Sequence, residues 1–293
     1  MADLGKKKVR HRNELNYTLM SMSTTAKRVT YLAMIQIPFD ESSGRLIFEE
    51  DKIYKIRAID YAEICGVSIS QAYKQLKDGI SELKSKSVEI PKDYLGDDLD
   101  LRDFPSDMVV MFSLADYCAY SDGDGFVILK FHRKMRNLIA NIERRFTTQY
   151  LLSAVRLPIG NANKLYLFLR EKIGEGKISW VDVSFEELKY CLMVDDIESY
   201  KAFKVFNDAF FKPSSKQIID KTEFERISIE IIERVKRRAS KVRISYEYLD
   251  QDRHKLDAGM KKKIPSARAH VDVRPSKRAL EMMEEVESLK NVD

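Results

Sequence analysis

Cysteine is scarce and never paired: Cys65, Cys118 and Cys191 each stand singly among apolar or aromatic neighbours. No C-x-x-C is present to clamp a metal or cycle redox chemistry, so the three read as small buried hydrophobes in a reducing compartment. Histidine is short as well. His11, His132, His254 and His270 are scattered without H-x-H or H-E-x-x-H spacing, and no metal or other cofactor is expected. No run reaches the length of a membrane span, and the opening MADLGKKKVRHR has no apolar segment of a secretory signal; the expectation is a cytoplasmic protein without a membrane partner. The phosphate cradle G-x-x-x-x-G-K-[ST] is missing too. GEGK at 174–177 is too short for one and fits a turn before the strand WVDV.

What is present has room for two modest domains: 293 residues, 44% hydrophobic and 10% aromatic, with a high 33% charged fraction that suits exposed, charge-laced helices. The net charge of +5 is mild, but the charge is segregated. Lys6, Lys7, Lys8, Arg10 and Arg12 fill the first residues, a dense basic run spans Arg234 to Arg243, and Lys261, Lys262 and Lys263 open a basic C-terminal stretch, while acids pool at 93–103. Such segregation points to a polyanionic partner, with solvated tails as the alternative for the two ends.

Along the chain, residues 1–13 read as disordered. Apolar spacing from Leu15 to Ile37 reads as one long helix stopped by Pro38, followed by short strands at 46–48 and 53–59. A pair of helices follows, then an acidic loop at 92–107, then a hairpin of MVVMFSLADYCAY and FVILKF around SDGDG. After a connecting helix at 132–142 the order recurs: mixed structure in RRFTTQYLLSAVRL, an amphipathic helix NANKLYLFLREKIG, the strand WVDV, helices SFEELKYCLMV and ESYKAFKVFNDAFFKPSSKQII, and the hairpin FERISIEII with KVRISYEYL. Placing Asp60 over Ser184 matches the halves in element order, an internal duplication. The expected domains are 14–142 and 143–250, with a polar tail at 251–293.

The stretch YAEICGVSISQAYKQLKDGI carries the chemistry. Asp60 with Glu63 forms a capping box, Gly66 supplies a left-handed stop, and Ser68 with Gln71 forms a second box: the local signature of a helix-turn-helix. Ile69, Ala72, Leu76, Ile80 and Leu83 make one buried stripe, which leaves Ser70, Gln71, Lys74 and Asp78 on the outer face as groups suited to base edges and phosphates. A helical hairpin whose polar face meets water is the plainer alternative. The repeat weighs against it. Ser184 and Glu187 form another box, Phe203, Phe206 and Phe210 another stripe, and Lys201, Lys204, Asp208 and Lys212 project outward with Asn207 on the flank and Ser215 and Lys216 further along. The hairpin beyond places Arg234, Lys236, Arg237, Arg238, Lys241 and Arg243 at and around its tip, where a wing meets the DNA backbone.

RAIDYAEICGVS, RRFTTQYLLSAVRL with NANKLYLFLREKI, and LKYCLMVDDIESYKAFKVFNDAFFKPSSKQI resemble the iteron-binding replication initiators of theta-replicating plasmids, over about 15–249. The resemblance implies an α+β fold of two tandem winged-helix domains with flexible basic termini. It also implies binding to direct repeats (iterons) of double-stranded DNA at a plasmid origin, duplex opening, recruitment of the host initiator and replicative helicase, and autorepression as a homodimer. Recognition positions carry over to Ser70, Gln71 and Lys74, and to Lys204, Asn207 and Lys212. Three features depart from the pattern: the acidic loop, the tail beyond Asp250, and Pro213, which lies within or at the end of the second recognition helix. Catalysis is not expected. A nicking enzyme needs paired histidines beside a tyrosine, whereas Tyr246 and Tyr248 read as hairpin packing, and the acids at 97–100 and 195–196 read as loop acids and caps. A winged-helix transcription regulator uses the same surfaces.

Overall fold

The computed structural model describes residues 7–40, 42, 45–92, 103–105, 107–121, 124–140, 142, 145–157 and 160–249. Lys6, most of the acidic loop, part of the SDGDG turn and the tail with its basic stretch lie outside these residues. The first element corrects the expectation of a disordered opening: β1 (Lys8–Arg12) is a strand with Val9 and His11 buried. A 3-10 turn leads to α1 (Asn16–Met20) and α2 (Thr24–Met34), so the single helix expected over 15–37 is broken. Two serines break it. Ser21 donates its hydroxyl to Thr18 C=O, and Ser23 accepts the Ala26 N–H as the N-cap of α2; both side chains compete with the helical ladder.

Next come β2 (Phe39–Asp40) and β3 (Arg45–Leu46), a small hairpin where one strand at 46–48 was expected, then β4 (Tyr54–Arg57), α3 (Ala58–Cys65) and α4 (Ile69–Ser85). After α4, β5 (Ser87–Pro91) pairs with β6 (Val109–Ser113), and β7 (Ala115–Ser121) pairs with β8 (Phe126–Phe131). The run expected as one hairpin arm is thus two strands in two sheets. The corner is the fully buried Leu114, whose N–H reaches Lys86 C=O while its own C=O accepts His132 N–H. A 3-10 turn and α5 (Arg136–Ile139) end this part.

β9 (Phe146–Tyr150) returns to pair antiparallel with β1, and α6 (Leu151–Arg156) and α7 (Asn161–Gly174) follow. Beyond them lie β10 (Trp180–Ser184), α8 (Phe185–Cys191), α9 (Phe203–Phe206), a π-helical turn Asn207–Phe211, α10 (Lys212–Lys221), β11 (Phe224–Val235) and β12 (Arg238–Tyr248). The two halves share one topology, with three-stranded sheets ordered β4-β8-β7 and β10-β12-β11. In each, the strand before the helix pair hydrogen-bonds the last strand of the wing. The equivalent of Ser184, the N-cap of α8, is Arg57 rather than Asp60. Asp60 lies in the first turn of α3 and takes the Arg57 guanidinium at 2.7 and 2.6 Å instead of capping.

Two hydrophobic cores result. The first runs from Val9 to Val155 and takes in α6, beyond the expected boundary at 142; the second runs from Leu157 to Tyr248. Helix α7 serves both, giving Leu167 to the first core and Leu165, Tyr166 and Phe168 to the second, and its Asn163, Arg170 and Lys172 are buried with them. Burial pushes the Cys65 thiol up to about 11 and the Cys191 thiol up to about 12, in keeping with inert packing roles.

Candidate nucleic-acid interface

Gly66 adopts φ 67° and ends α3, and Ser68 restarts the chain with both halves of the capping box formed. Helix α4 then buries Ala72, Leu76, Ile80 and Leu83. Gly79 lets it lie directly on α2, since a Cβ there would meet Thr25 C=O at 2.9 Å. On its inner flank Gln75 accepts from Tyr61 at 2.9 Å and from Arg28 at 3.0 Å, which fixes the rotation of the helix about its axis. Ser70, Gln71, Lys74 and Asp78 are exposed on the opposite face. The side-chain oxygen of Gln71 is occupied by the cap, accepting Ser68 N–H at 3.2 Å. Ile69 departs from the expected stripe. It is 53% exposed, because at the first helical position no partner element covers it.

The wing of this half is held to α4 by aromatic contacts. Lys77 lies over the Tyr120 ring at 4.4 Å, and Tyr73 stands against Gly125, where φ is 71° and a Cβ would strike the tyrosine hydroxyl. Sequence reasoning does not single out Ile69 and Tyr73 as surface groups. The available signal is an apolar and an aromatic residue interleaved with Ser70, Gln71 and Lys74.

In the second half, α8 is capped through Ser184, which accepts Glu187 N–H at 3.1 Å. The helical run from Phe203 to Lys221 buries Phe206, Phe210 and Phe211, with the Phe206 and Phe210 rings stacked at 5.0 Å. Pro213 does not shorten it. The π turn immediately precedes the proline, which falls in the first turn of α10, and the helical run continues through it to Lys221. Lys201, Lys204, Lys212 and Lys216 are exposed and Asn207 is half-buried. Lys201 pairs with Glu198 and Lys212 with Asp208, each at 2.7 Å. Ser215 is a correction: it is buried, its hydroxyl has no hydrogen-bond partner, and it cannot face a ligand.

At the tip of the second wing, Lys236 and Arg237 form a two-residue turn with φ of 47° and 67°. Asn-Gly is the pair that ordinarily fills such a turn. Arg234, Lys236, Arg237 and Arg238 are exposed there. Lys241 and Arg243 lie further down β12. Arg243 does not belong to the tip: it grips Asp182 through two bonds of 2.7 and 2.8 Å and stacks over Trp180 at 4.5 Å. That hydrogen bond holds the Asp182 carboxyl below its usual range. Tyr246 is buried and donates its hydroxyl to Lys177 C=O.

Two surfaces of one design therefore lie in one chain, each a polar helix face beside a wing. The family model described as Initiator Replication protein, WH1, matches residues 8–170, and that described as Initiator Rep protein, WH2, matches residues 184–246. The chain belongs to the initiator replication protein family. This initiator is 30% identical over 271 residues to a protein of Escherichia coli described as PI protein, covering 86% of each chain. It is 27% identical over 220 residues to an uncharacterized 27.6 kDa protein of Escherichia coli, covering 73% of this chain and 86% of that one. A crystal structure of Pi initiator protein in complex with iteron DNA superposes with a TM-score of 0.71 at 30% identity, covering 85% of this chain and 99% of that one. In the initiator the WH1 match opens at residue 8, where β1 begins. Among the described residues no helix is long and apolar enough to cross a membrane.

Proposed function

We propose that this initiator binds direct repeats of double-stranded DNA at a plasmid origin with both winged-helix units of one chain. Helix α4 and the run Phe203–Lys221 enter successive major grooves, and the wings lie along the phosphates. The observation that carries the reading is the repeated arrangement of capped helix, buried stripe and wing in a chain similar, nearly end to end, to a protein crystallised on iteron DNA. Residues proposed to meet DNA are Ser70, Gln71 and Lys74 in the first unit. In the second they are Lys201, Lys204, Asn207, Lys212 and Lys216 on the helix, with Arg234, Lys236, Arg237, Arg238 and Lys241 on the wing. The chain acts by binding, without catalysing a reaction itself. It recruits the host initiator and replicative helicase to the opened duplex and represses its own gene as a homodimer on an inverted repeat.

Footprinting on a single repeat tests this reading. Grooves on one face recur about every 34 Å, so one chain protects roughly two helical turns. Protection of one turn per chain would overturn the tandem reading. Transcription controlled at an inverted repeat, without origin unwinding at direct repeats, would make the protein a regulator.

A further inference from the structure

We infer that Glu223 is a positioning residue that fixes the distance and helical phase between the two DNA-reading helices. The inference rests on the proposed binding mode. Glu223 sits in the corner between α10 and β11, so its backbone belongs to the recognition helix and wing of the second unit. Its carboxylate is buried and lies where three elements meet. Oε2 accepts the Ser153 hydroxyl of α6 at 2.7 Å; Oε1 accepts the Tyr166 hydroxyl at 3.0 Å and Arg170 Nη1 at 3.2 Å, both from α7. Arg170 in turn donates through Nε to Thr148 C=O of β9 at 2.6 Å. A carboxylate removed from water needs such partners on both oxygens, which ties the corner to fixed points on two other elements.

The connection continues to the other reading head. Two residues beyond Ser153, Val155 C=O accepts Arg28 Nε of α2 at 2.7 Å, and Arg28 Nη1 reaches Gln75 of α4 at 3.0 Å. Hydrogen bonds thus link the α10–β11 corner to α6, α6 to α2, and α2 to α4. None of these side chains lies on either DNA-facing surface. Their arrangement sets where one surface stands relative to the other, and so which half-site spacing the chain accepts.

The test uses the full-length chain and a duplex repeat recovered by selection from a random library. Affinities are measured for that repeat, for the repeat with one base pair inserted between the segments protected by the two units, and for the half recognised by the second unit. One inserted pair turns the second segment by roughly 35° and moves it about 3.4 Å. With rigid heads, wild type loses on the order of 100-fold, most of the gain from simultaneous engagement. In Ser153→Ala, which cuts only the link to α6, and in Glu223→Gln, which keeps the shape but not the charge, that penalty falls at least about threefold while half-site affinity stays within about twofold. An unchanged penalty in a folded Ser153→Ala protein overturns the inference, even if Glu223→Gln fails to fold. So does a wild type indifferent to the insertion, and so does a half-site affinity that falls as far as the full-site affinity, since that pattern marks general destabilisation. Failure of wild type to select any repeat overturns the binding mode itself.

Discussion

Lys27 carries an ammonium into the joint between the two units, buried and bonded to Asn163 Oδ1. Asn163 lies in the first turn of α7, where the helix dipole is positive. Burial pushes the lysine down to about 7, against the pull of Glu82 and with added push from Lys164. The folded state therefore holds fewer protons than the unfolded state between pH 7 and the ordinary lysine value. Stability rises with pH across that window, by roughly 2–4 kcal/mol. Urea titrations at several pH values should show the rise, and Lys27→Met should flatten it while raising stability near pH 7. Ser215 offers a second check at this scale. Its buried hydroxyl lacks a partner, so Ser215→Ala should leave DNA affinity unchanged and stability equal or higher by up to about 1 kcal/mol. A uniform helical period places the residue on the outer face. The π turn inserts one residue and rotates everything after it by about 100°, which carries Ser215 from that outer face to the inner one.

Among the elements, those whose signal is local are legible in the sequence. The capped helix α4, the strand WVDV and the last hairpin follow from period, cap and turn residues within a few positions. β1 is not, because KVRHR has the composition of a solvated tail and its partner strand lies far along the chain, 138 residues away at the Arg10–Thr148 bond. The break at Leu114 is hidden for a similar reason, since the apolar run continues through it while the pairing partner changes. Two predictions belong here. Gly79→Ala sets a methyl against Thr25 C=O and Val29 Cγ2, so it should lift α4 off α2 and cost about 1–3 kcal/mol in denaturant melts. Replacing Lys236 and Arg237 by Asn and Gly relieves two positive-φ side chains. The wing should gain about 1 kcal/mol, and the slope of log affinity against log salt should fall by roughly one for each phosphate no longer neutralised.

For the whole molecule, the division of labour between helix and wing is the measurable quantity. Lys204→Ala or Asn207→Ala should relax sequence preference at a cost of about 1–3 kcal/mol on the specific site, with little change on random duplex. Arg237→Ala with Arg238→Ala should weaken specific and random DNA alike and reduce the salt slope. Titration of both duplex types at several salt concentrations separates the two; a sequence-specific effect of the arginine pair would reverse the assignment. Among the described residues, the basic run on the second wing is exposed at Arg234, Lys236, Arg237, Arg238 and Lys241, but the charge pattern cannot tell Arg237 at the tip from Arg243, which already holds Asp182.

The pairing of β1 with β9 also orders events in time. A ribosome delivers Lys8–Arg12 first, yet the strand has nowhere to settle until Phe146–Tyr150 has emerged, about half a chain later. Until then the nascent chain exposes Val9 and His11, a window in which a chaperone or a neighbouring nascent chain competes for the unpaired strand. Synthesis speed between residues 8 and 150 thus becomes a determinant of yield, and a chain lacking residues 8–12 leaves the β9 edge open for good.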